Sequence, residues 1–117
     1  MPSSEPRFDA FDVIVVPFPY SDRLAEKRRP ALVISNKRLE ALGVIWIAMI
    51  TSAENDSWPD DVPIADQKRC GLPAASVVRP AKIACIDPAR IVRRAGKLDR
   101  GSARIVGQRL RRFLGLV

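Results

Sequence analysis

Twenty lysines and arginines, two cysteines and no histidine set the chemistry open to this chain of 117 residues. Without histidine there is no imidazole-based serine or cysteine triad, and no histidine pair to act as acid and base on a phosphodiester. Cys70 and Cys85 supply no more than half the ligands of a structural zinc site, so metal chemistry on nitrogen or sulfur is all but excluded. Any catalysis must use other groups. The most abundant are guanidinium groups, whose planar fork of donors grips phosphate or carboxylate oxygens in pairs.

The charge is unevenly distributed. Residues 1–59 hold seven basic and eight acidic side chains, whereas residues 60–117 hold 13 basic and five acidic, within a total of +7. A basic half attracts polyanions by long-range field and counterion release, which admits nucleic acid, an acidic protein segment or an anionic membrane surface as partners. A solvated basic surface that aids solubility is the plainer reading of the charge alone. The longest uncharged stretch, Ala41 to Ala53, falls short of the roughly 20 residues that cross a bilayer, and Glu5 stands where a signal peptide would be positive. The expectation is a soluble, cytoplasmic protein with no membrane partner.

Elements must hold these groups in place. Residues 1–11 lack periodicity and are expected to form a loosely held arm, with a single domain over residues 12–117. Val13 to Val16, Ala31 to Ile34 and Val44 to Ile50 read as strands, the last apolar on both faces and therefore central, with Trp46 in the core. Asn36 is placed to cap a short helical turn over 37–42. Between Phe18 and Arg29 runs a charged loop too long for a tight hairpin. Short strands are expected at 62–65, 76–79, 83–86 and 91–94, separated by Gly71, Pro73, Pro80 and Pro88, as in a strongly bent small sheet or barrel. Asp99 then caps a C-terminal helix with an apolar stripe of Ala103, Val106, Leu110, Phe113, Leu114 and Val117.

Three stretches together resemble the MazF/PemK (Kid) toxins of type II toxin-antitoxin pairs: Asp12 to Asp22, Lys27 to Asn36 with its Arg-Arg-Pro-Ala-Leu-Val run, and Ile47 to Ser52 ending Ile-Thr-Ser. The match continues through Gly71 to Ile83 and the closing Gly96-Lys97-Leu98. It departs from the family pattern at Phe11, where a glycine is usual, and in a first loop without the glycine-rich segment of many members. The resemblance implies a small SH3-like β-barrel with a C-terminal α-helix, mainly β with added α. It also implies a homodimer and endoribonuclease activity of the messenger-RNA interferase type, on single-stranded RNA and without metal or cofactor. The partner it implies is an acidic MazE/PemI-like antitoxin.

Carried over residue by residue, the resemblance makes Arg29 and Thr51 the catalytic pair. If the 2′-hydroxyl attacks the adjacent phosphorus, the phosphorane gathers charge on its non-bridging oxygens, and Arg29 has the donors to meet it. The resemblance also assigns Arg29 a proton-transfer role, but an arginine is a poor base, so the electrostatic role is the weightier expectation. Thr51 has no neighbouring base in the sequence to make it a nucleophile; its hydroxyl is expected to orient the phosphate, with Ser52 and Arg28 as supporting contacts. Arg23 and Lys27 are candidate phosphate contacts, and Tyr20 and Trp58 candidate stacking surfaces for bases. Taken singly, Arg29 is an ordinary strand-edge charge and Thr51 a turn hydroxyl; only their joint pattern points to a site. Two other readings remain: a CcdB-like gyrase-binding toxin that cleaves nothing, and a non-catalytic small-barrel module that binds nucleic acid by charge.

Overall fold

The structure, a computed structural model, describes residues 6–17 and 27–116. Six strands form one curled antiparallel sheet, a half-barrel, in the order β4-β5-β3-β2-β1-β6. They are β1 (Asp12–Pro17), β2 (Arg28–Val33), β3 (Ile45–Ser52), β4 (Val62–Pro63), β5 (Ser76–Ile86) and β6 (Arg93–Lys97), with helices α1 (Lys37–Ala41) and α2 (Arg100–Leu114). Both faces of the sheet are apolar. One carries Val13, Leu32, Ala48 and Val78 and is covered by Val106 of α2 together with Val62, Cys70 and Leu72. The other carries Ile14, Val16, Ala31, Val33 and Ile47, closed off by Phe8 and Ile86. Burying a β-branched or leucine side chain is worth about 1.5–3 kcal/mol, so this double burial explains why β1 to β3 read as unbroken apolar runs.

Both expected helix caps are present. The Asn36 side chain accepts from the Arg38 amide at 3.0 Å, and Asp99 accepts from the Ser102 amide at 3.0 Å. Residues 7–11, expected within a loose arm, make defined contacts. The Arg7 and Phe8 amides donate to the Glu40 carboxylate at 2.8 and 2.9 Å, and the Phe8 ring is buried. Phe11, in the place of the family's glycine, has φ +72°. That left-handed conformation costs a residue with a Cβ about 1–2 kcal/mol, which glycine would avoid. Phe11 is held there by its amide to Val33 O at 2.6 Å and by its carbonyl, which accepts from the Leu98 amide at 2.9 Å.

Three expectations change. Strands foreseen at 76–79 and 83–86 are one strand, β5, because Pro80 lies where the β3–β5 register jumps: Met49 pairs with Arg79 but the next residue, Ala48, pairs with Ile83. The extra residues form a bulge, where proline has no ladder hydrogen bond to lose. The strand expected at 91–94 begins later, at Arg93, after the 3₁₀ turn Pro88–Arg90. Trp46 is not core. It is 44% exposed, pairs with exposed Cys85, and lines a surface hollow together with Leu110, Phe113 and Leu114 of α2. Among the described residues no helix is long and apolar enough to cross a membrane.

The curl closes by close approach rather than by a ladder. A Cβ on Gly71 would lie 2.2 Å from Ala95 O, and one on Gly96 would lie 2.2 Å from Arg69 O, so only glycine lets the segment after β4 touch β6. The Lys97 amide donates to Arg69 O at 3.1 Å across this seam.

Candidate active site

The sheet register places the two residues of the expected pair. Ala31 pairs with Met49, Leu32 with Ala48 and Val33 with Ile47 across β2 and β3. Continued by two residues, that antiparallel register brings Arg29 level with Thr51. Arg29 pairs on its other side with Val16, and Thr51 with Val77. Paired residues share a face, so Val16, Arg29, Thr51 and Val77 stand on the face of Ala31 and Met49. Arg29 and Arg28 are exposed at the start of β2, as is Lys27 just before it.

Thr51 is 8% exposed, and its Oγ1 accepts a 2.6 Å hydrogen bond from Asn55 Nδ2. With one lone pair of that oxygen occupied, the hydroxyl proton is left to donate outward. Ser52 is exposed and its Oγ accepts from the Glu54 amide at 3.2 Å, fixing the turn that carries Asn55. Trp58 is 42% exposed in the same loop, over the guanidinium of Arg79, whose central carbon lies 4.4 Å from the ring centroid. Tyr20 and Arg23 lie outside the described residues, as does the greater part of the charged first loop.

Sequence reasoning missed two groups beside this site. Asn55 belongs to no motif in the sequence, though an amide four residues after Thr51 is within reach once the chain turns back. Arg79 and Asp61 form a bidentate pair, with Nε to Oδ1 and Nη2 to Oδ2 both at 3.0 Å. The signal for it was available: an arginine directly after Val77 and Val78 in an otherwise apolar strand requires a buried partner. Burial pushes the Asp61 carboxyl up, but hydrogen bonds from Arg79 and the Trp58 amide, with the Arg79 charge, hold it below its ordinary value.

A curled six-stranded antiparallel sheet with a C-terminal helix packed on one face defines a small-barrel fold. The chain belongs to the PemK-like, MazF-like toxins of type II toxin-antitoxin systems, whose family profile matches residues 9–114. Among solved structures it is similar to MazF from Deinococcus radiodurans, with a TM-score of 0.72 and 23% identity over 92% of this chain and 96% of that chain. It is also similar to an endoribonuclease in complex with its cognate antitoxin from a mycobacterial species, with a TM-score of 0.74 and 16% identity over 95% and 98% of the two chains. A third relative is the Mycobacterium tuberculosis toxin MazF-mt6, at a TM-score of 0.70 and 18% identity over 89% and 96%. At these identities the likeness is one of fold. No curated protein sequence matches the chain.

Proposed function

We propose that this toxin is an endoribonuclease that cuts single-stranded RNA by attack of the substrate's own 2′-hydroxyl, without a metal. The observation that supports this reading is the β2–β3 register, whose last pair is Ala31 with Met49 and which, continued by two residues, would bring Arg29 opposite Thr51. As the 2′-oxygen bonds to phosphorus its proton passes to solvent; the P–O5′ bond then breaks and the leaving oxygen takes up a proton. Arg29 meets the charge that develops on the phosphorane, and the Thr51 hydroxyl donates to one of its oxygens. A single such donor is worth about a hundred- to a thousandfold in rate. Arg28 and Ser52 contact flanking phosphate oxygens, Lys27 and Arg23 the chain beyond, and Trp58 and Tyr20 stack on bases. The active form is a cytoplasmic homodimer, neutralised by an acidic MazE/PemI-like antitoxin that competes with RNA for the basic surface.

The test is purified protein with mixed single-stranded RNA in EDTA. The expected products carry a 2′,3′-cyclic phosphate and a 5′-hydroxyl, and a substrate with 2′-deoxyribose at the cleavage position is bound but not cut. Affinity should fall with salt at a log-log slope of about −0.7 per phosphate neutralised. Products ending in a 3′-hydroxyl, or a magnesium requirement, would overturn this mechanism.

A further inference from the structure

The loop from Ala53 to Asp61 is fixed to the sheet by more bonds than a connection needs. Arg79, on β5, turns Nε and Nη2 to that loop: both Asp61 carboxylate oxygens accept at 3.0 Å and, from Nη2, Asp56 O accepts at 2.8 Å. The two side chains are only 7% and 8% exposed. Asp61 Oδ2 also accepts from the Trp58 amide at 2.9 Å, and the Asp61 amide returns a bond to Trp58 O at 3.2 Å. Trp58-Pro59-Asp60-Asp61 is thus a closed turn, with Asp60 at φ +69°, a conformation that disfavours any residue with a Cβ. Asp60 forms an ion pair with Arg109 of α2, Nε to Oδ1 at 3.4 Å, without hydrogen-bond geometry. Strain of this kind persists only where the surroundings over-determine it.

What all these contacts fix is one half-exposed indole. The Arg79 guanidinium lies 4.4 Å and Lys82 Nζ 5.9 Å from the Trp58 centroid, so the ring is oriented by cations and still 42% open to solvent. Register places Arg79, on which the ring stacks, beside Thr51. Arg79 pairs with Met49 and Val77 with Thr51, one two-residue repeat apart on the same face, and Asn55 ties the start of the same loop to Thr51.

We propose that Arg79 and Asp61 are positioning residues that hold Trp58 as a fixed stacking platform for an unpaired base next to the scissile phosphate. The pair itself touches no reacting atom. Its Nε and Nη2 are already engaged by Asp61 and Asp56, and its proposed action is on substrate affinity, through the indole, rather than on the phosphorane. This inference rests on the RNA-cleaving reading above.

The chain has two tryptophans, so Trp46→Phe leaves Trp58 as the only indole reporter. In that background a short mixed-sequence 2′-O-methyl RNA, which cannot be cut, is titrated against Trp58 fluorescence, while cleavable RNA is assayed in parallel. The expected results are a saturable change in Trp58 emission and, for Arg79→Lys, Asp61→Asn and Trp58→Ala, a KM about tenfold higher with kcat within about threefold, a size that matches one lost base stack. Trp58→Ala combined with Arg79→Lys should be no worse than Trp58→Ala alone. If the Arg79 and Asp61 variants do not fold, the emission change and the Trp58→Ala split between KM and kcat decide. Silent Trp58 emission on saturation with RNA, or a fall in kcat at unchanged KM in Arg79→Lys, overturns the proposal. Uncut RNA that still perturbs Trp58 would overturn the nuclease reading alone.

Discussion

Asn55 donates its side-chain amide to the Thr51 hydroxyl oxygen at 2.6 Å. The bond runs from loop to strand, and it determines which way the threonine can act. A hydroxyl that already accepts is free to donate, and a donor is what a phosphorane oxygen requires.

Asn55→Ala should therefore lower kcat about fivefold and leave KM within about twofold, as expected when a neutral hydrogen bond worth roughly 1 kcal/mol is lost mainly in the transition state. Thr51→Ala should cost more. The double variant should cost no more than Thr51→Ala, because the amide acts through the hydroxyl. Single-turnover cleavage of the three variants checks this; additive losses would mean that Asn55 reaches the substrate independently.

Arg29 is exposed on a strand whose other half is core. Arg29→Ala should reduce cleavage at least about a hundredfold with an unchanged melting temperature, since no packing is lost. Arg29→Lys should recover little, because a point charge does not reproduce the fork. Near-normal cleavage by folded Arg29→Ala would remove it from the site.

Stability should fail on the acid side. Burial pushes the Asp61 and Asp99 carboxyls up, but hydrogen bonds from Arg79 and Trp58 to the former, and from Ser102 and Asp66 to the latter, leave both below the ordinary 3.8. A depressed carboxyl stabilises the fold above its unfolded value, and that contribution is lost as pH falls through the folded value. Melting temperature should be level above about pH 5 and decline below about pH 4. Asp99→Asn keeps a capping oxygen without the charge, so its decline should be shallower. A melting temperature level down to about pH 3 would contradict the assignment.

Much of this was legible in the sequence, for local reasons. The strands around Val15, Leu32 and Ile47 are apolar runs bounded by breakers, and Asn36 and Asp99 cap helices with their own side chains. Arg29 and Thr51 were legible only as a pair, since neither residue alone differs from an ordinary strand end. Pro80 misled because a proline reads as the end of a strand, while a bulge hides inside one. Trp46 misled because an apolar run does not say which of its side chains a later element will cover. The Arg79–Asp61 pair joins residues from two separate elements, and no local pattern names its partner.

The sheet ends at β4 and β6, and those two strands are built unlike the rest. β4 has two residues, one of them Pro63, while β6 presents exposed Arg93, Arg94 and Lys97. Arg94 and Lys97 are anchored on buried Asp12, at 3.0 and 3.6 Å. Open edges invite other strands to add on, and a very short edge, a proline and cationic side chains each discourage that. Two copies meeting along β6 would bring like charges together. Part of the positive charge of the C-terminal half thus sits on a terminal strand of the sheet, where cationic side chains discourage the addition of another strand.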